Sequence, residues 1–162
     1  MSEAPLADSP RRTEAGRAAR GALRTLTPLD AGVERGAAMM VHSVSLTVSG
    51  GRASASVEVR REGDQSVGLA EGPCAGGALD RLVAEATVRA AGGIDHDVEL
   101  VAVDAVTVGP AGSRTVVTAV LVRPLTVGDE PLVGVAAVGP AGVADAIARA
   151  VVDALARRSP SS

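Results

Sequence analysis

The stretch from His42 to Val59, HSVSLTVSGGRASASVEV, decides the fold. Val44, Leu46 and Val48 alternate with Ser and Thr; Ser49-Gly50-Gly51 interrupts; then Ala53, Ala55, Val57 and Val59 alternate with Ser54, Ser56, Glu58 and Arg60. Successive side chains on a strand point to opposite faces, so this period of two specifies a β-hairpin with one apolar and one wet face.

Downstream, Glu62-Gly63-Asp64 forms a second turn, Val67 and Leu69 continue the alternation, and Gly72-Pro73 ends it. A helical spacing opens near Gly77 with Leu79, Leu82, Val83, Ala86 and Ala90 along one stripe, and it stops at Gly92-Gly93. The same order then returns. A long apolar strand runs from Val98 to Val108, followed by the turn Gly109-Pro110-Ala111-Gly112, a strand from Thr115 to Val122, a loop through Asp129, and a strand from Leu132 to Val138. Gly139-Pro140 precedes a second helix whose stripe is Val143, Ile147, Val151, Val152 and Leu155. Superposing Asp80 on Asp145 places Leu82 on Ile147, Ala86 on Val151 and Ala90 on Leu155, a spacing of about 65 residues that reads as an internal duplication.

Each unit alone has one sheet face and one helix stripe, too little to close a core. The fold class expected is therefore α+β: two pseudo-symmetric β-β-β-α units packed together, with helices covering the sheets. The domain spans 37–158, with halves at about 42–93 and 98–157. The strands of the second half show little polar alternation, which predicts burial on both faces, inside the domain or against a second copy. A homodimer is the economical outcome.

Residues 1–36 mix Ala, Arg, Glu, Ser and Pro with few large apolar side chains and read as a flexible or partly helical tail. Within it Leu23, Leu26 and Leu29 fit one side of a short helix, and Thr27, Pro28 and Asp30 fit a helix start. Residues 159–162 read as a disordered C-terminus.

Composition narrows the function classes. With 46% hydrophobic residues, the chain has enough apolar surface to offset the entropy of ordering. Aromatic content is 0%, so the core is built from Val, Leu, Ile, Ala and Met, and close backbone approach is expected. All 16 basic residues are Arg, and the abundance of Ala, Gly, Val and Pro matches the codon bias of a high-GC bacterial genome. The net charge of -3, with scattered positive charges and no rings for base stacking, argues against nucleic acid as a partner. A single cysteine excludes an intramolecular disulfide framework and a multi-cysteine zinc site. The start lacks the apolar stretch of a signal peptide, and no run of eighteen apolar residues is free of Arg, Asp, Glu, Gly or Pro, so a cytoplasmic location without membrane association is expected.

Three segments invite a chemical reading. Gly72-Pro73-Cys74-Ala75-Gly76-Gly77 sets glycines before a helix N-terminus, an arrangement that can offer N–H groups to an anion and also serves as a plain strand-to-helix turn. Gly139-Pro140-Ala141-Gly142 repeats it. Cys74 stands where a thiolate is favoured, yet no histidine lies near it in sequence to act as a base, so packing is the expected role. Asp95-His96-Asp97 could supply metal ligands, but three adjacent residues do not complete a site, and a solvated loop accounts for them. His42 reads as exposed or capping. No catalytic residue, metal site or cofactor is expected.

The segments EGPCAGGALDRLVAEAT at Glu71 to Thr87, VDAVTVGPAGSRTVVTAVLV at Val103 to Val122 and LVGVAAVGPAGVADAIARAVVDAL at Leu132 to Leu155 resemble the C-terminal regulatory domain of α-isopropylmalate synthase and its homocitrate and citramalate synthase relatives, the LeuA allosteric (dimerisation) domain. The resemblance runs from about Val44 to Arg157. It implies a duplicated β-β-β-α fold that dimerises, belongs to amino-acid biosynthesis, and binds an amino acid or 2-oxo acid effector near the strand-to-helix turns. Carried over by position, the effector loop falls on Ala70, Glu71, Gly72 and Pro73, extended by Cys74 and Gly76, and its counterpart strand falls on Val101, Ala102 and Val106. Gly139 and Pro140 are the equivalents in the second half. This chain lacks the aromatic residues that commonly stand in that strand, and the family's catalytic barrel has no counterpart in these residues. The expectation is a non-catalytic effector-binding or dimerisation module acting on a partner enzyme, with a purely structural homodimer as the alternative.

Overall fold

A computed structural model describes residues 38–92 and 97–157. The tail readings at Leu23, Leu26, Leu29, Thr27, Pro28 and Asp30, and the readings for 159–162, Asp95 and His96, fall outside the described residues.

Strands β1 (Met39–Ser49), β2 (Arg52–Arg61) and β3 (Asp64–Pro73) form one antiparallel sheet in that order, and helix α1 (Ala78–Gly92) follows. Strands β4 (Glu99–Val108), β5 (Arg114–Pro124) and β6 (Asp129–Ala137) form the second sheet, followed by helix α2 (Val143–Ala156). This is the duplicated α+β order read from the sequence. In the β1–β2 turn, Gly50 and Gly51 both take positive φ, 58° and 77°, which suits the right-handed twist of the flanking strands.

Residues directly opposite in an antiparallel pair share a face, so the ladders assign every side chain. In the first sheet Ala53, Ala55, Val57 and Val59 of β2 are buried, and their partners include Leu46, Val44, Ala70 and Gly68. In the second, Val117, Ala119 and Leu121 of β5 are buried beside Leu132, Gly134 and Ala136 of β6. These inner faces pack on the helices. Helix α1 lies on β2 and β3 and also touches β4, while α2 lies on β5 and β6 and also touches β1, and the two helices pack on each other. The helices therefore form a middle layer shared by both sheets. That position explains why Ala146, Ile147, Ala148, Ala150, Val151 and Ala154 of α2 are all at 0–1% exposure, a burial much wider than one stripe.

The duplication is visible in detail. Both first strands carry a bulge at the same place, at His42 between Val41 and Ser43, and at Val101 between Leu100 and Ala102. Both third strands carry a glycine where the helix crosses: a Cβ on Gly68 would lie 1.9 Å from the Ala86 carbonyl oxygen and 2.4 Å from the Ala90 nitrogen, and a Cβ on Gly134 would lie 1.9 Å from the Ala150 oxygen and 2.3 Å from the Ala154 nitrogen. The close backbone approach expected from small side chains occurs here. These contacts match Ala86 to Ala150 and Ala90 to Ala154, 64 residues apart, and so correct the sequence superposition of Ala86 on Val151 by one residue. The alignment of the first-turn carboxylates misled it; the helix crossing sets the equivalence. Thr87 accordingly matches Val151, and both are fully buried.

Candidate functional site

The strand-to-helix turn of the first half is closed by its own backbone. Cys74 donates its N–H to the Gly51 carbonyl at 3.0 Å, Ala78 donates to Ala75 at 3.0 Å, and Arg81 donates to Gly77 at 3.3 Å. Gly72 faces inward, where an added Cβ would meet a Leu82 methyl at 3.1 Å, while Pro73 is exposed and Gly76 takes φ +50°. Ala70 is buried on the inner face beside Ala55, whereas Glu71 is exposed on the outer face beside Ser54. Cys74 is half-buried.

In the second half Gly142 donates to the Gly139 carbonyl at 3.0 Å and Pro140 is exposed. Arg149 spans this turn: its Nε donates to Asp145 at 2.7 Å and a terminal nitrogen donates to the Ala137 carbonyl at 2.9 Å.

The strand expected to complete the site faces elsewhere. Val101 is the bulge residue, and Ala102 and Val106 pair with Val120 and Val116, on the side of the second sheet turned away from the helices. Ala70 and Gly72 face the helix layer, so one chain does not bring these groups into one pocket. Asp97 is exposed, and among the described residues no group of three or more His, Cys, Asp or Glu side chains is placed to hold a metal. His42 lies in a polar cluster that its sequence position did not signal, with Arg60 at 3.1 Å and Glu58 at 3.7 Å.

The more informative surface is the outer face of the second sheet. Val106 and Val108 of β4, Val116, Val120 and Val122 of β5, and Val133 and Val135 of β6 share it. The first sheet supplies an internal control, because equivalent positions there hold Thr47 and Ser49, then Ser54, Glu58 and Arg60. Apolar residues remain there at Val67 and Leu69 of β3, matching Val133 and Val135, and at Met40 of β1, which matches Glu99. Val106, Val133 and Val135 are 51%, 45% and 47% exposed. The burial on both faces expected from the sequence is thus met on the helix side alone within one chain.

A second feature escaped the sequence reading. A cavity of about 300 Å³ opens at the end of the first unit where the β2–β3 hairpin meets the last turn of α1. Its floor is Met39, Val59, Ala90 and Ala91, and its rim is Arg61, Glu62, Asp64 and Ser66. A comparison of the two halves was the signal that could have found it, since Val59, Ser66 and Ala91 match Leu121, Leu132 and Leu155, which are buried.

Comparison with known proteins yields no matching family model and no matching curated protein. Among the described residues no helix is long and apolar enough to cross a membrane.

Proposed function

We propose that the chain is a non-catalytic dimerisation module that senses a small metabolite, an amino acid or related compound, and modulates a partner enzyme. The observation that carries this reading is the valine face of the second sheet. Where the first two strands of one outer face carry Ser, Thr, Glu and Arg, the equivalent strands of the other carry mostly Val, a contrast that suits water for the first and a protein surface for the second. The middle of the face carries one charge, Asp104, while Glu99, Arg114 and Asp129 stand at the strand ends, so it suits an identical apolar centre better than a charged partner. Two such sheets pack face to face at about −30°. Three strands spaced about 4.8 Å apart, with nine residues rising about 3.4 Å each, give a footprint of roughly 440 Å² on each copy. Doubled over two copies, that area falls below the size of stable specific interfaces and within that of weak, transient ones, so association is expected to depend on concentration.

The non-catalytic part of the reading is supported by the separation of the reactive groups. His42 stands near the start of β1, engaged by Arg60 and Glu58, and Cys74 adjoins Gly51 just beyond the far end of the same strand. Seven residues of strand separate His42 from Ser49, about 24 Å. The resemblance to amino-acid-synthase regulatory domains supports the sensing role.

Native mass spectrometry of the full chain, alone and with branched-chain amino acids and 2-oxo acids, tests the proposal. A dimer carrying a discrete added mass is the expected result. An empty dimer under every addition would favour a purely structural homodimer, and a monomer at all concentrations would overturn the reading.

A further inference from the structure

We infer that the cavity of the first unit is a binding site for a small aliphatic zwitterion, with an ammonium and a carboxylate group on a short branched frame. The inference builds on the sensing role proposed above and gives it a location away from the strand-to-helix turns.

The second unit shows what the fold places in this space when it is closed. There Leu121, Leu132 and Leu155 fill the region between sheet and helix, at 0%, 4% and 5% exposure. Arg123 and Glu130, partners across β5 and β6, form an ion pair at 2.5 Å with side chains 15% and 23% exposed. In the first unit the three leucines become Val59, Ser66 and Ala91, and only Met39, slightly larger than its match Val98, offsets the loss. Several carbon atoms are missing from an otherwise matched frame, and a cavity stands where they would be.

The charges are displaced in the same way. Arg61 and Asp64 hold the register positions of Arg123 and Glu130, and no ion pair joins them among the described residues. Glu62 adds a second carboxylate at the turn. The rim therefore offers a guanidinium to an anion and two carboxylates to a cation, above a floor of apolar side chains. A guest with a branched aliphatic group, an ammonium and a carboxylate would restore both things that the second unit has and the first lacks. Small-molecule sites combine an apolar lining with a few convergent polar groups in this manner, at volumes starting near 300 Å³.

Titration calorimetry of the full chain with L-valine and L-leucine tests the assignment, with isobutylamine and isobutyrate as single-charge controls. The zwitterions are expected to bind, and each control to bind at least tenfold more weakly. The variant Ser66→Leu with Ala91→Leu copies the closed unit and should lose binding more than tenfold while its melting temperature holds or rises. Because added bulk can disturb packing, Glu62→Gln with Asp64→Asn, both exposed, provides a second variant that should fold normally and bind the zwitterions at least tenfold more weakly. Absence of zwitterion binding to the unaltered chain would overturn the assignment, as would equal binding of isobutyrate or wild-type affinity in a folded variant of either kind. Oligomeric state recorded on the same samples separates the two proposals: a dimer without zwitterion binding refutes the cavity assignment and leaves the dimer and 2-oxo acid sensing standing, and a monomer that binds refutes the dimer alone.

Discussion

Alanine at position 134 would place its Cβ 1.9 Å from the Ala150 carbonyl oxygen and 2.3 Å from the Ala154 nitrogen, where ordinary contact begins at 3.4 Å. Strand and helix must separate by up to 1.5 Å, the difference between 3.4 and 1.9 Å, and both obstructing atoms are backbone, so no side chain can rotate away. Helix α2 also packs on β5 and α1, and moving it loosens those contacts as well. Overpacking of a close-fitting core costs about 1–3 kcal/mol, and the backbone obstruction places this case at the upper end, near 3 kcal/mol. Loss of glycine's freedom in the unfolded chain returns about 0.4–1 kcal/mol, leaving roughly 2–2.5 kcal/mol. For a domain of this size, about 4 °C per kcal/mol converts this to a melting temperature lowered by roughly 8–10 °C. Far-UV circular dichroism is the assay, since the chain contains no Trp or Tyr for fluorescence. Gly68→Ala should behave alike, with its Cβ 1.9 Å from the Ala86 oxygen, and Gly77→Ala, with nothing within 4 Å and no positive φ, is the control expected to melt at or slightly above the wild type. If Gly134→Ala melted as the control does, the helix crossing that aligns the two halves would be wrong.

Thr87, fully buried, spends its hydroxyl on the Val83 carbonyl at 2.7 Å, and its match is Val151; Thr87→Val should therefore change stability by less than about 1 kcal/mol in thermal melts. Arg123→Ala strands a Glu130 carboxylate that is 23% exposed, and a loss of about 1–2 kcal/mol is expected by urea denaturation. Asp153 accepts the Val135 N–H at 3.0 Å on the β6 edge, so Asp153→Ala should speed hydrogen exchange at the Val135 amide while leaving amides of β5 protected.

The elements were legible because each segment obeys a clean period. Val44, Leu46 and Val48 alternate through a strand that is an edge in the structure, and Gly50-Gly51 and Glu62-Gly63 mark two-residue turns in the observed ladders. The helix equivalence was off by one because Asp80 and Asp145 look alike in sequence, whereas Gly68 and Gly134 set the crossing through contacts that no local pattern announces. The apolar second sheet was legible as a composition, but the open side was not: an apolar run says that both faces avoid water without saying which one the helix covers. The site residues fared differently. Gly72, Gly76, Gly139 and Pro140 lie at strand-to-helix turns, yet Ala102 and Val106 face the opposite side of their sheet from the helices, which follows only from ladder register. The cavity depends on what is missing at Val59, Ser66 and Ala91, and absence is readable only against a correctly aligned second half.

The central claim, that the valine face joins two copies, is tested most directly by sedimentation velocity on the wild type and on a variant that copies the first sheet, Val120→Glu with Val122→Arg, the residues found at Glu58 and Arg60. Both substitutions lie on the outer face, so the far-UV spectrum and melting temperature should stay close to those of the dissociated wild type. The wild type is expected to pass from monomer to dimer across the micromolar range, and the variant to remain monomeric throughout. A wild type that never dimerises, or a folded variant that dimerises equally well, would contradict the account.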